Sequence, residues 1–216
     1  MTTVYFVRHG EAEGNVGRVF HGHYNSSLTQ NGEVQAEKIR ERLCGTRFDC
    51  VYSSDLDRAY NTALPMARER GLEITRLSGL REIYGGEWEN CPWDELPVKF
   101  PDSYNAWATA PHTLQMPGGE SMQGFQDRVY TCLMDIVSEN KGKSILITTH
   151  GTVLRVLLCK FKGLPLCEIE QVRWGDNTAL TILEFDEDEK CRIVLESDGS
   201  HLGELSTLAK QKWWRE

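Results

Sequence analysis

A chain of 216 residues, 40% hydrophobic and 26% charged, is long enough to hold a hydrophobic core without disulfides or metals, burying roughly 70–75% of its unfolded surface. Against 32 Asp and Glu it sets 24 Lys and Arg, a net charge of −8. That balance argues against a nucleic-acid partner, whose footprint is a basic patch or stripe, and requires any anionic ligand to be held by locally clustered cations. Seven cysteines without CxxC spacing read as buried free thiols of a reducing, cytoplasmic compartment.

The start, Met1 to Arg8, has no charged leader and only a four-residue apolar run, so neither a signal peptide nor a membrane span is expected, and no membrane partner. Val4–Val7 reads as a buried strand ending at Arg8-His9-Gly10. Ala36, Ile39 and Leu43 recur at helical spacing after the possible cap Thr29, with Gly45 as a stop. Phe48–Tyr52 reads as a second strand, and Leu56, Ala59, Ala63 and Met66 as a helix that Pro65 is expected to kink or split.

The proline-rich stretch 80–118, with Trp88, Trp93 and Trp107, breaks the alternation and reads as an insertion over one end of the sheet. Met122, Phe125, Val129, Leu133 and Ile136 form a further helical stripe. Ile145–Thr148 reads as a strand, Val153–Cys159 as a buried helix, and Thr178–Phe185 with Cys191–Glu196 as a closing hairpin. Leu205, Leu208, Ala209 and Trp213 have helical spacing and can pack on the body or on a second subunit, so a homodimer stays open. Alternating strands and helices predict one α/β domain over 1–216. Its expected architecture is a three-layer sandwich with a central, mostly parallel sheet, helices on both faces, and the insertion over the carboxyl ends of the strands.

Ligands of open α/β sheets bind outside those carboxyl ends. Arg8-His9-Gly10, Ser53-Ser54-Asp55 and His150-Gly151 all follow predicted strands, so the fold should bring His9 and His150 together, although either ring alone can be a structural histidine. Ser54-Asp55-Leu56-Asp57 reads as a helix N-cap with an acidic third residue, which places Arg58 in the first turns, where the helix dipole disfavours a cation. Arg58 either pairs with Asp55 or Asp57 or, with the helix start, holds an anion. In the second case Arg8, Arg58, His9 and His150 converge on one tetrahedral oxyanion.

These residues resemble the histidine phosphatase superfamily, branch 1, which includes cofactor-dependent phosphoglycerate mutase and many small phosphatases. The matches run through the chain in order: Arg8-His9-Gly10-Glu11 with Asn15; Leu28-Thr29 to Gly32 and Gln35-Ala36; Tyr52 to Leu56 with Arg58 and Thr62-Ala63; Leu80-Arg81-Glu82 with Gly86 and Trp88-Glu89; Gly118 to Ser121; Thr149-His150-Gly151; and Asn177-Thr178. The resemblance implies hydrolysis of a small phosphomonoester, with His9 as the phosphoryl acceptor. It further implies Arg8, Arg58, Asn15 and the Gly151 amide on the phosphate, His150 as a third contact, and Glu82 as proton donor and then base. Neighbouring cations should keep His9 neutral, a backbone acceptor should fix its tautomer, and the two roles of Glu82 suit a carboxyl of raised pKa. Its plain alternative is a solvated carboxylate beside Arg81.

His21, Gly22 and Asn177 are weaker substrate-contact candidates, and Ser121 is either a helix cap or a contact. No cofactor is expected: His21 and His23 form an i, i+2 pair, but no Cys or carboxylate completes a metal set. Asn25 and Ser27 stand where the family often carries Asp and Pro, which leaves the loop shape open. Tyr84, Trp88, Trp93 and Trp107 can cover a partly apolar leaving group or form the insertion's own core. Two other functions compete with hydrolysis: a mutase, for which the basic pair expected after Glu82 is replaced by Ile83-Tyr84-Gly85-Gly86, and a non-catalytic phospho-ligand-binding regulator.

Overall fold

Along β1 (Thr2–Arg8) alternate side chains leave the sheet on opposite sides, as strand pleating requires. Val4 and Phe6 join one apolar cluster and Val7 the other. The computed structural model describes residues 1–210. After β1 come α1 (Glu13–Gly17), α2 (Gln30–Arg42), β2 (Cys50–Ser54), α3 (Asp57–Arg70) and β3 (Ile74–Leu77). The insertion carries α4 (Leu96–Lys99) and α5 (Pro101–Thr109), and is followed by α6 (Met122–Glu139), β4 (Ser144–Thr149) and α7 (Gly151–Phe161). The hairpin β5 (Leu180–Phe185) and β6 (Cys191–Asp198) and the short α8 (Thr207–Lys210) close the described chain.

The six strands form one sheet in the order β3-β2-β4-β1-β5-β6. The first four run parallel, while β5 is antiparallel to β1 and β6 to β5. One face is covered by Ile39 and Leu43 around α2 and by Ala63, Met66 and Ala67 of α3, packed on Val7, Val51 and Leu146. The other is covered by α6 and α7, with Phe125, Val129, Leu133, Val153 and Leu157 packed on Phe6, Ile145 and Ile147. This is the expected mostly parallel three-layer arrangement. Register aligns Arg8 with Thr149 and Ser53 with Thr148, so the loops after β1, β2 and β4 emerge side by side.

Several expectations are corrected. Ile74–Leu77 is an edge strand that the sequence reading left unassigned. Pro65 does not split its helix: α3 is continuous from Asp57 to Arg70, and the carbonyl the proline deprives of a donor belongs to Asn61, an exposed residue that water can serve. The N-cap of α3 is Leu56, not Ser54. Only Cys91 and Cys159 of the seven free cysteines are buried, and Cys44 and Cys167 are exposed. Thr29 does cap α2, accepting from the Gly32 amide, and Ser121 caps α6 by accepting from Gly124.

In the insertion, Trp88, Leu96, Leu114 and Met116 are fully enclosed and belong to the same apolar cluster as α6 and β4. Its apolar side chains therefore merge with the sheet's core. Trp213 lies outside the described residues, whereas Leu205 packs near α2, its carbonyl accepting from Gln35 at 2.7 Å. Among the described residues no helix is long and apolar enough to cross a membrane.

Candidate active site

His9 follows the last residue of β1 and is held by backbone on both sides. Its amide donates to the Thr149 carbonyl at 2.8 Å, and its own carbonyl accepts from Asn177 Nδ2 at 2.9 Å. Ring Nδ1 lies 2.7 Å from the Gly10 carbonyl oxygen. A carbonyl can only accept, so Nδ1 carries the proton and Nε2 bears the lone pair. Burial, then the charges of Arg58 and Arg8, hold the His9 pKa well below its ordinary value. The ring is a neutral base with its lone pair on a defined nitrogen. The cations contribute as expected, but burial is the larger cause.

Gly10 must be glycine on packing grounds. A Cβ there would stand 2.6 Å from the Gly32 carbonyl oxygen, closer than any side chain tolerates. Its amide donates to Thr62 Oγ1 at 2.9 Å, and that hydroxyl donates to the Arg58 carbonyl at 2.7 Å. One threonine thus ties the loop after β1 to the first turn of α3.

Arg58 is 2% exposed. Its guanidinium donates to the carbonyls of Tyr24 and Gly22, at 2.8 and 2.7 Å. Neither aspartate weighed as its partner takes it, because Asp55 is bound bidentately by Arg81 at 2.6 Å and Asp57 accepts from Asn25. Burial lowers the Arg58 pKa to about 10, which still leaves it charged at neutral pH. Arg8, 5% exposed, donates to the Gly175 carbonyl at 2.6 Å, while its buried Nε has no partner. Among the described residues neither guanidinium forms a salt bridge with a carboxylate. Two buried cations with no carboxylate in contact, only the more distant charges of Asp176, Glu82 and Glu89, are costly unless an anion completes them.

His150 lies against His9, ring centroids 5.2 Å apart. Its Nε2 is 2.8 Å from Ser54 Oγ, and its Nδ1 is buried with no partner. Burial, followed by the charge of Arg58, holds its pKa well below the ordinary histidine value. Glu82 lines the same cleft as Arg8, His9 and Arg58. Its carboxylate accepts from the Ile83 amide at 2.9 Å and from the Thr152 amide at 3.1 Å, the latter in the first turn of α7, where the helix dipole favours negative charge. Arg81 points away to Asp55, so Glu82 is not the solvated partner of its neighbour. The Glu82 carbonyl is fixed by His23 Nε2 at 2.9 Å and by Arg128 at 3.1 Å.

Asn15, Gly151, His21 and Gly22 also line the cleft. Asn15 Oδ1 accepts from the Ala12 amide at 2.9 Å. His21 bonds Ser26 Oγ at 2.7 Å, and burial lowers its pKa to about 4. His23 is not in the cleft wall; it supports the loop that carries Glu82. Asn177 stands behind the cleft, holding the His9 backbone. Among the described residues no three His, Cys, Asp or Glu side chains cluster as a metal site.

Sequence reasoning assigned no role to Glu89, although it lies in the Trp88-Glu89 motif. Its carboxylate accepts from the amides of His23, Gly85 and Tyr24, at 2.9, 2.8 and 2.6 Å. It therefore shapes the 22–24 loop whose carbonyls grip Arg58. Thr62 was likewise a motif residue without an assigned role, and Ser54 was read only as a helix cap. Val19, Phe20 and Trp174, which wall the cleft, carried no signal at all.

A cleft that ends in a neutral imidazole, two unpaired guanidiniums and a carboxylate has the parts of phosphoryl-transfer chemistry. Residues 4–198 match the family model described as histidine phosphatase superfamily (branch 1). The chain belongs to that family. It is 29% identical over 210 residues to phosphoserine phosphatase 1 of Hydrogenobacter thermophilus, covering 95% of this chain and 96% of the relative. It is 33% identical over 189 residues to the probable phosphoglycerate mutase GpmB of Salmonella choleraesuis, covering 88% and 87%. Among solved structures, Bacillus stearothermophilus YhfR superposes with a TM-score of 0.89 at 33% identity, over 93% of this chain and 99% of that one. Relatives of this chain are thus named both as phosphatases and as phosphoglycerate mutases.

Proposed function

We propose that the protein is a phosphomonoesterase that hydrolyses a small phosphorylated molecule through a phosphohistidine on His9, using side chains alone. The observation that carries this reading is the pair of buried guanidiniums, Arg8 and Arg58, that lack contacting carboxylates and share the cleft with the neutral imidazole of His9, whose Nδ1 is committed to the Gly10 carbonyl.

In the first half-reaction, Nε2 attacks phosphorus, the N–P bond forms, and the ester P–O bond breaks. Charge spreads over the phosphoryl oxygens, where Arg8, Arg58 and the unpartnered Nδ1 of His150 supply donors. Asn15 and the Gly151 amide border the same space. Glu82 gives its proton to the departing alkoxide. In the second half-reaction Glu82, now a carboxylate, takes a proton from water as that water attacks phosphorus and the N–P bond breaks. Phosphate leaves and His9 is neutral again.

Hydrolysis is favoured over mutase action because the cleft wall holds only two cations, Arg8 and Arg58, among the described residues. Both are committed to the transferring group, so a second phosphate would lack counter-charge. A regulator that binds without turnover would not need both Glu82 and the free lone pair of His9. Phosphate release from p-nitrophenyl phosphate, compared between wild type and His9→Ala, tests the reading. Loss of activity in the variant is expected, and equal activity would reject it. Interconversion of phosphoglycerates that outpaces phosphate release would favour the mutase instead.

A further inference from the structure

Part of the cleft wall is built of rings. Trp93 and Trp107 stand 5.8 Å apart, and Phe20 packs edge-on against each, at 5.5 and 6.0 Å. Trp174, from the 172–177 loop, lines the same cleft. Its ring is backed by the Arg155 guanidinium at 4.3 Å and lies where a Cβ on Gly151 would meet it at 3.1 Å. The three indoles are half-buried, unlike the enclosed Trp88, and all three line the cleft. They also line an adjoining cavity that continues past Tyr104 and Met122.

We propose that Trp93, Trp107 and Trp174 form a leaving-group site that takes an aromatic ring and disfavours a carboxylate. This rests on the phosphatase reading of the same cleft. Phe20 and Arg155 pack against these rings, so the site is pre-formed and little ordering is lost on binding. A ring entering between indoles adds apolar burial and ring–ring contact, and should raise kcat/KM by about 10–100-fold over a short alkyl group. A carboxylate in the same place would lose its water without gaining a counter-ion. Arg155 lines the adjoining cavity together with Glu170, which already neutralises it at 3.1 Å. Its guanidinium donates to the carbonyls of Val172 and Ile169 and to Glu170. The other cations of the wall, Arg8 and Arg58, belong to the phosphoryl group. The two relatives named for phosphoserine and phosphoglycerate therefore do not set the expectation for this chain.

The test compares 2-phenylethyl phosphate, n-propyl phosphate and O-phosphoserine, esters of alcohols whose leaving abilities are close. The phenylethyl ester is expected to exceed the propyl ester at least about tenfold in kcat/KM, with phosphoserine below both. Trp107→Ala and Trp174→Ala should each collapse the phenylethyl-to-propyl ratio toward one. Phosphoserine equal to or better than the phenylethyl ester would overturn the proposal, as would a ratio unmoved in both variants. Calorimetric Kd values for the matching phosphonates report the same preference without turnover. A folded enzyme that hydrolyses none of the esters would defeat the phosphatase reading, while the phosphonate ratio would still decide this one.

Discussion

Ser54 Oγ sits 2.8 Å from His150 Nε2 and also accepts from the Leu56 amide at 3.3 Å. Nε2 is the one acceptor that this buried hydroxyl contacts among the described residues, so the hydroxyl proton goes there. The proton of the neutral His150 ring is thereby placed on Nδ1, the nitrogen with no protein partner. Ser54→Ala removes that restraint. Turnover should fall by about tenfold, the worth of one oriented hydrogen bond, with KM changed less. Steady-state kinetics on p-nitrophenyl phosphate read the split, and an unaltered kcat would deny the tautomer a role.

Thr62 bridges the Gly10 amide and the Arg58 carbonyl. Thr62→Val keeps the shape but leaves the buried Gly10 amide unsatisfied, a loss of about 1–3 kcal/mol. Urea unfolding should show that loss and phosphate release should drop with it, whereas Thr62→Ser should recover most of both. Equal stability in Thr62→Val and wild type would mean that the bridge is incidental.

Glu82→Gln separates the two chemical roles of the carboxyl. Loss of a general acid costs about 10²–10⁴-fold where the leaving alcohol needs a proton. Esters of p-nitrophenol, whose anion leaves unaided, should suffer less in the first half-reaction. Single-turnover rates for an alkyl and a nitrophenyl ester measure the difference. Identical losses for both would remove Glu82 from the proton-donor role.

Five histidines resist protonation in the folded chain, His23 among them through burial. His9 and His150 are held well below the ordinary value, mainly by burial, and burial likewise brings His21 and His201 down to about 4. Below about pH 6.5 the unfolded chain takes up protons that the folded chain refuses. The stabilising contribution is therefore whole above that pH and drains away as pH falls toward about 4. Urea midpoints should decline through this window, and a flat profile would contradict it. The same argument removes any acid limb near pH 6.5 due to His9 from the kcat/KM profile.

What the sequence revealed followed from side-chain pattern. The apolar runs of β1 and β4 and the all-round apolar face of α7 announce burial, and polar residues directly after those strands mark the site end of the sheet. β3 was silent because Ile74-Thr75-Arg76-Leu77 is a short, half-exposed edge with mixed chemistry. The Arg58 clamp was illegible for a different reason. It is made by carbonyls of Gly22 and Tyr24, and backbone atoms leave no signature in residue identity. Trp174 reaches the cleft only through the path of a loop between α7 and β5.

The most direct test of the central claim is rapid acid-free quenching of the enzyme during turnover of a radiolabelled ester, followed by peptide mapping. An alkali-stable, acid-labile label on the His9 imidazole, absent from His9→Ala and accumulating in Glu82→Gln with a nitrophenyl ester, is the predicted result. Turnover without any label on that ring, or equal labelling of the His9→Ala protein, would contradict the account.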